Sequence, residues 1–323
     1  MSVVTVTPAG AIDLTYRVDT LQRGDFIRSH SSLREISGKG VNVAVALSTG
    51  GMDTAAVVAL GSEDASLAAA SPHADVLRPV FLPGQTRINT QIVDAEGLTT
   101  KVNGPVPSMT AQQWQRVVAA TDAEIAAMSA TWLVVGGSLP VVERETPDIH
   151  SLATAASTRG LRVAVDTSGE PLRRLVANPA GVALIKPNVH ELSDALGGLT
   201  LRTLGDVVAA ARMVIARGVG LLFVSMGPDG ALVVAHDTVV HAVAHAPRLA
   251  STAGAGDASL AGFILGAGSA ADLDLVAGCT MAARFGTLAV SQEATLVTSL
   301  DDLPDAVTTV DPDPMWALAE PAG

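Results

Sequence analysis

From about residue 130 onward, short apolar runs alternate with longer segments of helical periodicity. Trp132-Leu133-Val134-Val135, Arg162-Val163-Ala164-Val165, Val182-Ala183-Leu184-Ile185 and Leu221-Leu222-Phe223-Val224 are apolar almost throughout. Runs of this kind read as strands buried on both faces. Between them the pattern predicts helices over 147–159, 188–196 and 206–217. The alternation is that of βαβ units, so the fold class is α/β, with a mostly parallel sheet covered by helices. Ligands of such sheets collect beyond the carboxyl ends of the strands. The residues that follow the strands are therefore the candidates for chemistry: Gly136-Gly137-Ser138, Asp166-Thr167-Ser168, Lys186-Pro187-Asn188 and Ser225-Met226-Gly227.

Two segments, 14–35 and 86–103, have a different texture. They alternate polar and apolar residues, as in Arg87-Ile88-Asn89-Thr90-Gln91-Ile92. That spacing predicts half-exposed antiparallel strands, here a small sheet projecting from the main domain as a lid over a cleft. Residues 1–310 form one domain on this reading. Residues 311–323, with prolines at 312, 314 and 321, are expected to be a loosely held tail.

Composition narrows the functional classes. Of 323 residues, 48% are hydrophobic and only 3% aromatic, so alanine, valine and leucine must fill a large core. No apolar run approaches the ~18 residues of a membrane span. Met1-Ser2-Val3-Val4-Thr5-Val6 reads as a strand rather than a secretory leader. The single Cys279 excludes an internal disulfide and suits a cytoplasmic protein. A net charge of −12 disfavours nucleic acid and anionic membranes as partners. Against that background the three lysines, Lys39, Lys101 and Lys186, stand out. Two of them sit beside turns, in Ser37-Gly38-Lys39-Gly40 and Lys186-Pro187-Asn188.

Four motifs carry candidate chemistry. In Ala253-Gly254-Ala255-Gly256-Asp257 the glycines permit a tight turn, and a helix starting near Asp257 would aim free N–H groups at an anion. Asp257 then stands beside that anion as a proton acceptor, which is the equipment for phosphoryl transfer to a hydroxyl. The same residues also suit an ordinary capped turn. Gly38-Lys39-Gly40-Val41-Asn42 offers backbone donors, a point charge and an amide, which suits a sugar bearing a phosphate. Asn188 and Glu191 share one face of a first helical turn. They suit either a hydrated Mg²⁺ or a mutual capping box. Ser225-Met226-Gly227-Pro228-Asp229-Gly230 is a turn at a strand end where a ribose or base can rest.

Taken in order, Gly38-Lys39-Gly40-Val41-Asn42-Val43-Ala44, Thr86-Arg87-Ile88-Asn89, Gly137-Ser138-Leu139-Pro140, Val165-Asp166-Thr167-Ser168-Gly169, Lys186-Pro187-Asn188-x-x-Glu191 and Gly254-Ala255-Gly256-Asp257 resemble the ribokinase/PfkB-type carbohydrate kinases. Within that family they are most similar to the phosphofructokinase branch, over about residues 3–298. The resemblance implies a ribokinase-like α/β/α sandwich with a β-sheet lid. It implies ATP-dependent phosphorylation of a primary hydroxyl on a phosphorylated ketohexose: fructose 1-phosphate, tagatose 6-phosphate or fructose 6-phosphate. Asp13, Gly38 and Asn42 would hold sugar hydroxyls. Lys39, Arg87 and Ser138 would hold the existing phosphate, with Arg28 of the lid joining them across a homodimer interface formed by the lid sheet. Lys186, Asn188 and Glu191 would organise ATP and Mg²⁺. Ser225, Gly227 and Gly230 would line the nucleotide site. The amides of 253–256, including Gly254, Ala255 and Gly256, would form the anion hole, with Asp257 as base. On this reading the two turn-associated lysines mark opposite phosphate-bearing ends of one cleft.

The chain departs from the family pattern in three places. Thr7-Pro8-Ala9-Gly10-Ala11-Ile12-Asp13 replaces the usual opening run. Ser62-Glu63-Asp64-Ala65-Ser66 is glycine-free and belongs to a shortened region. Glu293 and Ala294 stand where a glycine is common near the nucleotide. Two rival readings remain at this stage. One is a kinase of an unphosphorylated sugar or nucleoside, which would leave Lys39 and Arg87 without an anion. The other is a non-catalytic sugar-phosphate-binding protein.

Overall fold

The computed structural model of the protein describes residues 1–269, 272–292 and 294–323. A ten-stranded sheet runs through the molecule. Seven of its strands are mutually parallel. From one edge they are Leu77–Leu82, Asp53–Gly61, Ser2–Thr7, Trp132–Gly136, Arg162–Asp166, Leu184–Ile185 and Leu221–Ser225. Three antiparallel strands, Ala231–Val234, Val239–Ala244 and Ala306–Val310, complete the other edge.

The apolar runs form strands because both faces of the sheet are covered. Val4, Val6, Leu133, Val135, Val163 and Val165 point to one hydrophobic layer. Their neighbours Val3, Trp132, Val134 and Ala164 point to the other. Aliphatic side chains, chiefly valine, leucine and alanine, fill both layers, and close packing does the work that aromatics do elsewhere. Phe223 and Phe263 stack with ring centroids 5.5 Å apart. The expected helices form as Ile149–Thr158, Val189–Ala195 and Leu204–Ile215. The run at 182–185 is shorter than expected and pairs only through Leu184 and Ile185.

The lid is a separate four-stranded sheet, in the order Ser31–Ser37, Ala11–Arg17, Arg87–Val93, Thr99–Asn103. Its central pairing, Ala11↔Arg87 through Arg17↔Val93, is parallel, where alternation alone suggested antiparallel strands throughout. The two hairpins lie far apart in sequence, and each leaves the main sheet in the same direction. Cross-strand pairing puts Asp13, Glu35, Asn89 and Asn103 on one face of the lid. The opposite face carries Ile88 and Val102, which are 42% and 62% exposed.

The expectation of a loose tail is corrected. Ala317–Ala322 is a strand paired antiparallel with Leu201–Thr203. Alternation inserts Leu318 and Ala322 into the core, at 8% and 4% exposure. Trp316 and the backbone N–H of Ala319 both donate to the Asp229 carboxylate. The shortened region after Gly61 folds as one 3₁₀ turn, Ser62–Asp64, and the helix Ala65–Ala69. Glu293 lies outside the described residues.

Candidate active site

The segment 253–257 takes the tight turn that its glycines require. Gly254 has φ of +76°, and a Cβ there would meet the Thr295 carbonyl oxygen at 2.2 Å, so no other residue fits. The helix Ala255–Ala267 begins directly after it and carries Asp257 in its first turn. The Lys186 ammonium reaches this turn and stands 3.2 Å from the position a Cβ on Gly256 would take. Free helix N–H groups and a lysine thus share one spot, a ready site for phosphate oxygens.

Asp257 is 7% exposed. Burial, then the neighbouring Asp166 charge, push its carboxyl up to about 6, against the opposing pull of Lys39, Asn42 and Lys186. At neutral pH it is ionised and still a stronger proton acceptor than an ordinary carboxylate. Asn42 donates to Asp257 Oδ2 at 2.7 Å. Asn42 sits on the helix Lys39–Thr49, whose first turn follows Gly38 directly. Ser37, 3.4 Å from Asn42 Oδ1, donates to Asp13 Oδ2 at 2.8 Å. Asn89 and Gln91 of the lid also donate to Asp13, at 3.1 and 3.3 Å. Asp13 and Asp257 are therefore joined through Ser37 and Asn42, which runs a polar line from the lid to the anion hole.

The two turn-associated lysines are not at opposite ends of the cleft. Lys39 Nζ lies 2.5 Å from Asp166 Oδ1, and Lys186 Nζ lies 2.9 Å from Asp166 Oδ2. Asp166 is completely buried. Burial alone would raise its carboxyl, but Lys186 and Lys39 outweigh it and hold the pKa below the ordinary range. Burial would likewise lower Lys39. Instead Asp166, Asp257 and Glu191 hold its ammonium well above the ordinary value. Sequence reasoning placed Asp166 after a strand but gave it no role. A buried carboxylate gathers the cations, and sequence spacing alone does not reveal that.

The other expected residues fall as follows. Gly137 and Ser138 follow the strand Trp132–Gly136. A Cβ on Gly136 would lie 2.6 Å from the Gly40 amide nitrogen, so this loop packs on the start of the Lys39–Thr49 helix. Arg87 donates to the carbonyls of Ala9 and Gly10, at 3.0 and 3.4 Å, and forms no ion pair among the described residues. Lys101, not singled out from sequence for a role, pairs across the lid with Gln91, on the Asp13 face. Partial burial lowers its ammonium, against the pull of Asp13 and Asp257. Arg28 is not brought to this cluster. It lies on the loop between two lid strands, with its guanidinium 5.8 Å above the exposed Phe26 ring.

Asn188 and Glu191 form the capping box. Asn188 Oδ1 accepts from the Glu191 amide at 2.7 Å, and Glu191 Oε2 accepts from the Asn188 amide at 3.0 Å. Among the described residues no group of three acidic, histidine or cysteine side chains gathers as a metal cage. Asn188 is bridged to Ser225, which brings this turn beside the turn at 225–230. Ser225, Gly227 and Gly230 line a cavity of about 690 Å³ together with Ala255, Gly256 and residues of the helix Leu275–Ser291.

The chain has relatives over most of its length. Residues 4–302 match the pfkB family carbohydrate kinase model. The chain is 38% identical to the 1-phosphofructokinase of Rhodobacter capsulatus, over 89% of this chain and 90% of that protein. It is 30% identical to the ATP-dependent 6-phosphofructokinase isozyme 2 of Escherichia coli K12, over 93% and 96%. The crystal structure of Escherichia coli phosphofructokinase-2 with substrates and products superposes with a TM-score of 0.79 at 25% identity, covering 94% and 97%. A family match over most of the chain and relatives at 30% identity and above show that the chain belongs to the pfkB family of carbohydrate kinases, as an ATP-dependent kinase of the phosphofructokinase type.

Proposed function

We propose that the protein transfers the γ-phosphoryl group of ATP to a primary hydroxyl of a phosphorylated ketohexose, giving a sugar bisphosphate and ADP. The observation that carries this reading is Asp257. It is a buried carboxylate raised to about 6, set in the first turn of the anion-hole helix and joined through Asn42 and Ser37 to Asp13. Asp13, Gly38 and Asn42 hold the sugar hydroxyls. Asp257 takes the proton of the attacking hydroxyl as its oxygen bonds to the γ-phosphorus and the bond to the β-phosphate oxygen breaks. The amides of 253–256 and Lys186 stabilise the charge spread over the transferred group, and positioning supplies much of the rate.

The placement of Lys39 on Asp166 moves it, in this proposal, from the existing phosphate to the transferred one. The existing phosphate then falls to Arg87 and Lys101 of the lid, with Ser138 beside the Lys39 turn. Arg87 spends its donors on two carbonyls only, and an anion completes its coordination. An unphosphorylated substrate would leave it without one. The capping box leaves one Glu191 oxygen uncommitted. That donor set suits a Mg²⁺ held mainly by triphosphate and water, with Glu191 reached through a water. Such an ion would neutralise phosphate charge. A homodimer through the exposed face bearing Ile88 and Val102 would bring Arg28 of a second copy near the lid.

Fructose 1-phosphate is the first candidate substrate, because the Rhodobacter capsulatus relative is a 1-phosphofructokinase. A coupled ADP-release assay over fructose 1-phosphate, fructose 6-phosphate, tagatose 6-phosphate and the free sugars tests the proposal. Turnover with one of the phosphosugars is expected. Turnover confined to free sugars, or nucleotide binding without turnover on any of them, would refute it.

A further inference from the structure

The nucleotide cavity is walled in part by a segment beyond the family match, which ends at residue 302. The strand Ala317–Ala322 brings Glu320 to the rim of the cavity. Gly227 makes room for it. Glu320 Oε2 lies 3.0 Å from where a Cβ on residue 227 would stand. The strand is held on both sides of Glu320, by Ala319 donating to Asp229 at 2.7 Å and by Ala322 pairing with Leu201. Glu320 is the one carboxylate among the described lining residues, and it has no hydrogen-bond or ion-pair partner among them.

A carboxylate only accepts hydrogen bonds, and phosphate oxygens repel it. Its ligand group is therefore a donor. The helix Leu275–Ser291 offers small apolar side chains, Ala282, Ala283 and Val290, against which a flat base can lie, and the anion hole takes the phosphates. The ribose, which joins base to phosphates, carries two adjacent hydroxyl donors. Carboxylates bind ribose hydroxyls in this way in dinucleotide-binding folds. We propose that Glu320 accepts hydrogen bonds from the 2′ and 3′ hydroxyls of the nucleotide, so that the C-terminal strand selects ribonucleotides. The assignment rests on the kinase reading above.

The test is calorimetric binding of ATP and of 2′,3′-dideoxy-ATP, with Mg²⁺ and without sugar, to the wild-type protein and to Glu320→Ala. The wild type should bind ATP about tenfold more tightly than the dideoxy analogue. Glu320→Ala should lose about tenfold for ATP and leave the analogue unchanged, the size expected for charge-assisted hydrogen bonds. An unchanged melting temperature shows that the strand stays docked. If Glu320→Ala unfolds, Glu320→Gln read on the same two nucleotides replaces it, and a partial loss for ATP alone is expected. Equal losses on both nucleotides, no loss, or tighter ATP binding would overturn the assignment. A wild-type protein that binds ATP without preferring it overturns the Glu320 role alone, whereas one that binds neither nucleotide overturns the kinase reading as well.

Discussion

Replacing Asp257 by Asn should destroy activity and stabilise the protein. The hydrogen bond from Asn42 survives, because an asparagine oxygen still accepts it, and the shape of the site is kept. What disappears is a buried negative charge close to Asp166. Raising a carboxyl from 3.8 to about 6 disfavours its ionised form by about 3 kcal/mol. The sign follows from linkage. The folded pKa lies above the unfolded one, so the stability tied to this group is present below pH ~3.8 and is lost as the pH rises through ~6. Asp257→Asn should therefore gain up to about 3 kcal/mol over wild type at pH 7.5, and only about 1 kcal/mol at pH 4.5. For a chain of 323 residues the larger figure corresponds to about 4 °C in melting temperature. Calorimetry at the two pH values reads the stability, and ADP release reads turnover. kcat should fall at least ~100-fold, the usual share of a general base. Near-wild-type kcat would remove Asp257 from the base role. A gain that is absent, or equal at both pH values, would refute the buried-charge argument.

The rate of the wild-type enzyme should fall as the pH drops through about 6, because Asp257 must be ionised to accept a proton; a pH profile of kcat flat from 5 to 8 would contradict this. Arg87→Ala and Lys101→Ala should raise KM for the phosphosugar with kcat largely kept, and unchanged KM in both would remove the lid cations from the existing phosphate. Lys39→Ala should instead depress kcat, and the split between kcat and KM decides between its two placements. Leu318→Asp should weaken the protein by several kcal/mol, since it puts a charge into a core position 8% exposed; a melting temperature within a degree of wild type would show that the C-terminal strand contributes nothing.

The parallel sheet was legible because strands buried on both faces leave continuous apolar runs, as at 132–135 and 162–165. The lid was legible from the alternation at 87–92, but its parallel central pairing was not. Local periodicity records which face a residue takes and not which distant strand lies beside it. The tight turn and the helix start that carries Asp257 were readable because Gly254 answers a local backbone demand. The grouping of Lys39, Lys186 and Asp166 was not, because the three positions are brought together only by the order of strands across the sheet. The tail misled for a simple reason. Its prolines at 312, 314 and 321 lie at the start and end of a segment whose two inward positions, Leu318 and Ala322, make a strand too short to show as a period.

The buried Asp166 carboxylate, shared by the buried Lys186 and the partly exposed Lys39, also constrains how this enzyme can change over generations. Removing either lysine strands part of a buried charge, and removing Asp166 sets two cations against each other. Breaking a buried pair by losing one partner costs about 3–5 kcal/mol, whereas replacing the whole set with apolar residues can be neutral. Lineages drifting toward other substrates must therefore keep Asp166 and Lys186 together or pass through poorly folded ancestors to lose one of them. Diversification is easier at the exposed positions of the lid, such as Ile88 and Val102, and of the C-terminal strand, where single replacements leave no charge stranded.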